Sequence, residues 1–414
     1  MADQKTTQAK KPMGLSSIIK QIRQDLGKQN PDIIFDPNRK VEFVTSGCFS
    51  YDLVSGGGFP MRRISEIFGF EHSGKSSLLY AAFAENQKAG KVGVLFDFEH
   101  SFHAAYASEV FGLVEDGTTF VVFQPDSIEE GDKILMTLRN IDHIQLLGFD
   151  SIEAMKPICI IDGSLDKINS PGAQANALSK FFYKLKDFAK EKNCAIVATN
   201  QIRANIHTNK FAENTGVGAG FTHEDPYKTP GGFTPRFLAS VRMKLEHSGR
   251  INDDAGENLV DGTNEKVRMG QIIKFVNIKN KIFTPFLKTK ACFNFWIDGL
   301  QKGGWDEGAD VLELLKKRGR VQQISTKFIY RGMNVKEWVN VGPKVQSEQL
   351  FINNPDLIKD GKELIRALMS HDNSSLLSMA LESEREDPFT LDDSSEFGNG
   401  MEEIGVGESS EIKI

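Results

Sequence analysis

ISEIFGFEHSGKSS, residues 64 to 77, is the stretch that decides the fold. An apolar run leads into a glycine loop, the loop ends in a lysine and two serines, and the helix-forming sequence LLYAAFAENQ follows. The pattern GxxxxGK[ST] of a phosphate-binding loop is satisfied by Gly69, Gly74, Lys75 and Ser76. Glycine lets successive backbone N–H groups turn toward phosphate oxygens, and the following helix adds the positive end of its dipole. The stretch therefore predicts a strand, a phosphate loop and a helix.

Each loop position has a predicted role in binding ATP. Lys75 is expected to reach the β and γ phosphates, Ser76 to ligate Mg²⁺, and Ser77 to lie near the α phosphate. An ordinary glycine turn before a helix is the alternative, and the strand before the loop argues against it. The predicted nucleotide-binding residues of the loop are Gly69, Phe70, Glu71, His72, Ser73, Gly74, Lys75, Ser76 and Ser77.

The composition is that of a globular protein with an acidic end. The 414 residues are 40% hydrophobic and 26% charged, which suits two or three domains. Residues 382 to 414 carry a net charge of −9, while the whole chain carries −6, so residues 1 to 381 carry +3. A mildly basic body with an acidic tail suits a nucleic-acid binder whose tail competes for the basic surface. A tail that only keeps the protein soluble is the alternative.

Membrane and zinc signals are missing from the sequence. It contains no run of 18 apolar residues, and the first residues, MADQKTTQAKKPMG, lack an apolar signal-peptide core, so a cytoplasmic location and no membrane partner are expected. Scattered cysteines without CxxC spacing favour buried reduced thiols over zinc ligands or disulfides. They are Cys48, Cys159, Cys194 and Cys292.

Strand-like and helix-like runs alternate from residue 41 to residue 201. This alternation predicts an α/β fold with a mostly parallel central sheet and crossover helices. Ligands of such sheets lie at the carboxyl ends of the strands. We therefore expect the polar side chains at those ends to converge near the phosphate loop. They are Asp97, Glu99, Gln124, Asp126, Asp150, Asn200 and Gln201.

Two of these carboxylates have predicted roles in ATP hydrolysis. Asp150 ends an apolar run about 75 residues after Lys75, the place of a Walker B aspartate that holds Mg²⁺ through water. Glu99 lies two residues beyond Asp97, where a carboxylate can polarise the water that attacks the γ phosphate. The alternatives are a buried strand end for Asp150 and a capping or salt-bridged acid for Glu99.

The remaining sequence divides into further parts. Residues 1–40 hold a polar tail and a helix with one apolar face, which packs on its own domain or on a neighbouring subunit. The long aperiodic stretch after Gln201 is expected to bind something or to be disordered. Residues 301–381 read as a small C-terminal domain, and residues 382–414 as an acidic tail without regular structure.

Four motifs in order resemble the RecA family of DNA recombinases, over about residues 41 to 290. They are TSGCFSYDLVSGGGFPMRRISEIFGFEHSGKSS (45–77), DFEH (97–100), NQIR (200–203) and KNKI with PF (279–286). The resemblance implies a P-loop NTPase core at residues 41–300, with an N-terminal helix for oligomerisation and a small α/β C-terminal domain. It implies that Glu99 is the catalytic glutamate and that Gln201 senses the γ phosphate. It also implies that Lys279 and Lys281 reach into the ATP site of the adjacent subunit.

The resemblance extends to adenine and DNA contacts. Tyr106 matches a tyrosine that stacks on adenine, and two DNA-binding loops are implied at about residues 162–176 and 202–232. In the second loop, Arg203 is expected to contact phosphate and Ile206 to wedge between bases. Gly231 and Gly232 match the twin glycines that close this loop.

This sequence also departs from the family pattern. His103 stands where an adenine-contacting aspartate is usual, Pro171 and Asn176 replace residues that help the first loop hold DNA, and the stretch 202–230 is longer than expected. These departures leave the ATP chemistry intact. They indicate a divergent member, with a viral origin as one interpretation.

The implied function is that of an ATP- and Mg²⁺-dependent recombinase. It would polymerise as a helical filament on single-stranded DNA, exchange that strand with a homologous duplex, and work with single-strand-binding and loader proteins in a host cytoplasm or nucleoid. A hexameric DNA helicase or translocase on the same core is one alternative, although a ring motor normally supplies an arginine finger where this chain offers a lysine pair. A regulatory relative that has lost turnover is the other.

Overall fold

The computed structural model describes residues 16, 17, 19, 20, 24, 39–162, 172–204, 227–252, 268–297, 301–324, 327–330, 339–343 and 351–371. The chain forms two compact units, Met1–Glu42 and Phe43–Ile414. In the first unit, the described residues between 16 and 24 are helical, as the apolar periodicity predicts. The packing partner of this helix stays a prediction.

The second unit alternates strands and helices. Its strands are β1 (Phe43–Val44), β2 (Phe59–Pro60), β3 (Ile64–Gly69), β4 (Val92–Asp97), β5 (Phe120–Phe123), β6 (Ile144–Asp150), β7 (Ala195–Gln201), β8 (Arg203–Ala204), β9 (Tyr227–Lys228), β10 (Val241–Asn252), β11 (Arg268–Asn280), β12 (Lys288–Asn294), β13 (Gly304–Trp305), β14 (Val321–Ile324), β15 (Lys327–Tyr330) and β16 (Val339–Pro343). Its helices are α1 (Phe49–Ser55), α2 (Lys75–Lys88), α3 (Ala104–Phe111), α4 (Ile128–Leu138), α5 (Ile158–Ile161), α6 (Ala173–Lys192), α7 (Phe233–Leu238), α8 (Glu307–Lys317) and α9 (Pro355–His371).

Nine of these strands form one central sheet, in the order β13-β12-β11-β10-β3-β7-β6-β4-β5. The pairs from β10 to β5 are all parallel, and β11, β12 and β13 extend the sheet in antiparallel fashion. The predicted α/β fold with a mostly parallel sheet is therefore confirmed. Because parallel strands end at the same edge, the polar residues that follow β3, β4, β6 and β7 share one edge.

The sheet separates two apolar layers, since successive side chains of a strand point to opposite faces. On β4, Leu95 belongs to one buried cluster, and Val94 and Phe96 belong to the other. Helix α2 fills the first layer with Leu78, Leu79 and Phe83. Helix α6 fills the second layer with Phe181, Phe182, Leu185 and Phe188.

The C-terminal elements pack on the first layer. Val311 and Leu315 of α8 and Ile365 of α9 belong to the same buried cluster as α2, while β14, β15 and β16 form their own antiparallel sheet. A domain boundary at residue 300 stays a prediction, and residues 382–414 lie outside the described part of the chain.

The cysteine prediction is right for two residues and wrong for one. Cys48 and Cys194 are buried and Cys292 is partly buried, whereas Cys159 is exposed on the short helix α5. Among the described residues, no helix has the length and apolar content to cross a membrane.

Candidate functional site

The phosphate loop is a tight turn pressed against two neighbouring strands. A Cβ on Gly69 would lie 2.3 Å from the carbonyl oxygen of Leu245 on β10, and one on Gly74 would lie 2.6 Å from Ile273 Cδ1 on β11. Gly74 also has a φ of +83°. Only glycine meets these limits without displacing a neighbour, so the loop backbone stays close to the sheet edge with its N–H groups available to a ligand.

Lys75 folds back over this loop. Its Nζ donates hydrogen bonds to the carbonyl oxygens of Gly69, at 3.2 Å, and Phe70, at 2.7 Å. Burial lowers the pKa of Lys75, and the carboxylates of Asp150 and Glu99 oppose that shift. A triphosphate would give this partly desolvated ammonium group a stronger partner than two neutral carbonyls.

Ser76 and Asp150 form the oxygen pair expected of a magnesium site. Ser76 Oγ donates to Asp150 Oδ2 at 2.7 Å, and Thr199 Oγ1 donates to Asp150 Oδ1 at 2.5 Å. Burial raises the pKa of Asp150, while these two hydrogen bonds lower it. This pair of oxygen ligands fits Mg²⁺, because that ion keeps waters and phosphate oxygens as most of its ligands.

Glu99 lies directly beside Asp150. Its backbone N–H donates to the Asp150 carbonyl at 3.1 Å, and its Oε1 accepts a hydrogen bond from Ser151 Oγ. Asp97 has a different task, because its buried carboxylate accepts from the backbone N–H groups of Ser101 and Phe102. Asp97 thus holds the turn that presents Glu99, a support that the sequence alone did not separate from the site.

Gln124 and Asp126 contact the turn that follows Asp97 and do not reach the phosphate loop. Gln124 Nε2 donates to Asp97 at 2.9 Å, and the exposed Asp126 contacts His100 at 3.3 Å. Neither residue contacts the phosphate loop in a described hydrogen bond. The predicted convergence therefore brings Asp150, Glu99 and Gln201 to the loop, and leaves Gln124 and Asp126 as supports.

Tyr106 reaches the loop from helix α3. Its side chain hydrogen-bonds Ser77, and burial raises the pKa of the Tyr106 hydroxyl. His103 caps this helix, because its Nδ1 accepts the Tyr106 N–H at 3.1 Å. The departure at position 103 thus preserves a cap, which an aspartate would also provide.

Gln201 ends β7 at the level of Gly69, its register partner on β3. Its N–H donates to Asn200 Oδ1 at 3.0 Å. Its side-chain amide makes no hydrogen bond with another described residue. It is therefore placed at the edge of the phosphate loop, with an amide donor and acceptor that the described residues leave available.

A further hydrogen bond that holds the phosphate loop was not predicted from the sequence. Gln271 on β11 is buried and donates its Nε2 to the carbonyl of His72 at 3.0 Å. His72 has a φ of +57°, an uncommon conformation for a residue with a side chain. Gln271 lies about 200 residues from the loop in sequence, so no local pattern could have revealed the contact.

Lys279 and Lys281 lie at the other edge of the sheet. Lys279 pairs with Arg242 of β10, which pairs with Glu66 of β3, three residues before Gly69. At about 3.3 Å per residue, this places Lys279 roughly 10 Å along the strands from the loop. Within one protomer, the structure does not bring the lysines to the phosphate loop.

Comparison with known proteins decides the family. The family model of the RecA N-terminal domain matches residues 13–299. This chain belongs to the RecA family. Proteins named RecA from Mesomycoplasma hyopneumoniae, strains 7448, J and 232, are each 30% identical to it over 353 residues. The match covers 85% of this chain and 93% of each relative, so the resemblance carried by the four motifs is confirmed.

The lysine pair of this RecA-family chain binds the carbonyl end of helix α7. Lys279 Nζ donates to the carbonyls of Arg236, at 2.6 Å, and Phe237, at 3.2 Å, and Lys281 Nζ donates to Phe237 at 3.3 Å. The negative end of the helix dipole favours cations there. Burial, with Lys281 and Arg242 nearby, lowers the pKa of Lys279 to about 8.

Exposed aromatic residues lie on the helix that the lysine pair contacts and in the turn that follows Lys281, and the sequence did not predict them. Phe233 and Phe237 of α7 are 62% and 68% exposed, and Phe286 is 63% exposed. Exposed apolar groups in such a cluster are typical of a protein interface. We call Lys279, Lys281, Phe233, Phe237 and Phe286 the lysine face.

The predicted DNA-binding residues are described only in part. Gly231 has a φ of +95° and Gly232 of +77°, so both need the freedom of glycine where the chain enters α7. Arg203 lies in β8, which pairs with β9. Ile206, Pro171 and most of the two implied loops lie outside the described residues.

Proposed function

We propose that this RecA-family protein is a DNA-dependent ATPase that forms helical filaments on single-stranded DNA and exchanges that strand with a homologous duplex. One observation carries the proposal. The phosphate loop and the lysine face lie at opposite edges of one sheet. Head-to-tail stacking of protomers brings the lysine face of one against the phosphate loop of the next. A heterologous contact of this kind builds open filaments or closed rings.

The residues at the phosphate-loop edge of the sheet support ATP hydrolysis at this contact between protomers. Lys75 would bind the triphosphate of ATP, and Ser76 with Asp150 would hold Mg²⁺, which would neutralise the charge of the phosphates. Glu99, fixed by Ser151, orients a water molecule and accepts its proton.

The lysine face makes assembly depend on the nucleotide. Two ammonium groups contributed by the neighbouring protomer stabilise the triphosphate and lose that partner after hydrolysis. Gln201 contacts the γ phosphate and directly precedes the second DNA loop, so nucleotide state and DNA affinity are coupled. Arg203 contacts the DNA phosphates and Ile206 wedges between bases, in a loop that Gly231 and Gly232 close, so the strand is bound without its sequence being read.

The setting of this activity follows from its chemistry. A filament on single-stranded DNA competes with single-strand-binding proteins, so we propose such proteins and loaders as partners. The proposed location is the cytoplasm or nucleoid of the host cell.

Electron microscopy tests the proposal directly. With single-stranded DNA and a slowly hydrolysed ATP analogue, we expect helical filaments, and with ADP we expect them to shorten or disperse. Closed six-membered rings would favour the helicase alternative. Neither assembly, under conditions where the protein binds the analogue, would favour a regulatory relative.

The lysine face also predicts a pH effect. The Lys279 pKa of about 8 means that its charge is lost as pH rises above 8, whereas a facing triphosphate favours the charged form. We expect ATP-dependent assembly to weaken between about pH 7.5 and 9, and Lys279→Arg to flatten the profile because its guanidinium stays charged. Light scattering at a series of pH values measures this, and superimposable profiles would contradict it.

Lys279 is expected to affect folding stability in the opposite direction, so that the free energy of unfolding rises with pH. The folded pKa of about 8 lies below the unfolded value of about 10.4, so unfolding takes up a proton in this range. The contribution of Lys279 to the free energy of unfolding therefore rises as pH increases from 8 to 10.4. Urea melts of wild type and Lys279→Arg separate this effect from assembly.

A further inference from the structure

Glu66 is a buried carboxylate that the proposed mechanism does not use. It lies in the middle of β3, is 1% exposed, and is held from both neighbouring strands. Its Oε2 accepts from Arg242 Nε on β10 at 2.5 Å, and its Oε1 accepts from Asn200 Nδ2 on β7 at 2.9 Å. A buried charge is costly unless it is paired, so removing a partner disturbs the others.

The partners of Glu66 lead to both ends of the second predicted DNA loop. Asn200 accepts the N–H of Gln201, where the loop begins, and donates to the Pro230 carbonyl at 3.1 Å, where it returns. Arg242 Nη2 approaches Thr229 Oγ1 at 3.4 Å. One carboxylate and its partners thus tie together the described start and end of this stretch.

A second branch leads to the lysine face. Arg236 Nε donates to Thr229 Oγ1 at 2.9 Å and its Nη2 to the Thr229 carbonyl at 3.2 Å. The Arg236 carbonyl accepts from Lys279 Nζ at 2.6 Å. Hydrogen bonds therefore run without a gap through Gln201, Asn200, Glu66, Arg242, Thr229, Arg236 and Lys279.

We propose that Glu66 is a positioning residue that couples the nucleotide site to the DNA loop of its own protomer and to the lysine face that meets the next protomer. This inference rests on the proposed function. When Gln201 shifts toward a γ phosphate, Asn200 moves with it. The two groups that accept hydrogen bonds from Asn200, the Glu66 carboxylate and the Pro230 carbonyl, are then displaced. The pair of Glu66 and Arg242 is enclosed by strands on both sides, so it passes this displacement to Thr229 and α7 rather than absorbing it.

Glu66→Gln tests the coupling with almost no change of volume. Glutamine keeps an acceptor for Asn200 but presents an NH₂ donor, in place of an acceptor, to Arg242. The measured quantity is the coupling ratio, the Kd for a fluorescent oligothymidylate without nucleotide divided by the Kd with a slowly hydrolysed ATP analogue. We expect this ratio to fall about tenfold, while the KM for ATP without DNA changes less than about threefold.

Two more variants keep the test decisive. Thr229→Val removes the hydroxyl that Arg236 and Arg242 share while leaving the Glu66 pair intact, and the same fall is expected. Ser65→Ala is the matched control on the same strand, since Ser65 is buried and its Oγ has no hydrogen-bond partner among the described residues. Its coupling ratio should equal that of wild type.

The outcomes separate this inference from the proposed function. A wild-type ratio near one would overturn the proposed function itself. A large wild-type ratio that Glu66→Gln and Thr229→Val both retain would overturn only the role of Glu66. Equal weakening of DNA binding in both nucleotide states would show a structural role and count against coupling. Should Glu66→Gln fail to fold, the ratio of Thr229→Val decides.

Discussion

Lys75→Ala is expected to reduce ATP hydrolysis by at least about 10²–10³-fold, with or without single-stranded DNA. The reason is electrostatic, because the structure holds the Lys75 cation directly over the loop backbone, through the carbonyls of Gly69 and Phe70. Alanine leaves the glycine turn intact and removes only the charge that would face the β and γ phosphates. Steady-state phosphate release measures the loss.

Lys88→Ala is the matched control for this prediction. Lys88 ends the same helix, is exposed, and pairs with Glu85 at 2.7 Å. Replacing it removes a lysine from this helix without changing the phosphate loop. We expect its turnover to stay within about twofold of wild type, because a surface ion pair contributes little. Turnover of Lys75→Ala within about threefold of wild type would remove the phosphate loop from the mechanism.

The fold and the loop edge were predictable because their signals are local. Alternating strand and helix runs predict the parallel sheet, and parallel strands must end at one edge. Gly69, Gly74, Lys75 and Ser76 occur within eight residues, and the structure places Asp150 and Glu99 beside them. The roles of these residues stay predictions until they are measured.

The contacts that support the site were not predictable from one sequence. Glu66 meets Asn200 and Arg242 across 134 and 176 residues, and a glutamate inside an apolar run gives no sign of its partner. Phe237 reads as one more apolar residue, yet it is exposed on the lysine face. Cys159 was wrongly assigned to the interior because scattered cysteines carry no local signal of burial.

The lysine pair shows both what the sequence predicts and what it does not. Its alternating spacing predicts that Lys279 and Lys281 lie on the same side of one strand. Only the register of β11 with β10 and β3 shows that Lys279 lies away from the protomer's own loop, and Lys281 follows directly after β11 ends at Asn280. Within the described protomer the pair does not reach the protomer's own loop, so the loop of a neighbouring protomer is its proposed partner.

Lys279→Ala combined with Lys281→Ala is expected to separate nucleotide binding from assembly. The variant should bind ATP within about threefold of wild type, because its own loop is untouched. DNA-stimulated hydrolysis should fall by about 10³-fold or more, the size of effect that a charge supplied by a neighbour has in related phosphoryl transfer. Phosphate release with single-stranded DNA and electron micrographs with a slowly hydrolysed analogue measure the two losses.

A second lysine pair with the same spacing provides the control. Lys288 and Lys290 lie on β12, the neighbour of β11 in the central sheet, and replacing both with alanine removes the same charge. We expect that variant to keep its filaments and its DNA-stimulated turnover, because the proposed contact with the triphosphate is made by Lys279 and Lys281. If the double variant of Lys279 and Lys281 still forms long filaments with ATP, the lysines of one protomer do not bind the triphosphate of the next. Equal losses in both double variants would assign the effect to net charge and DNA attraction instead.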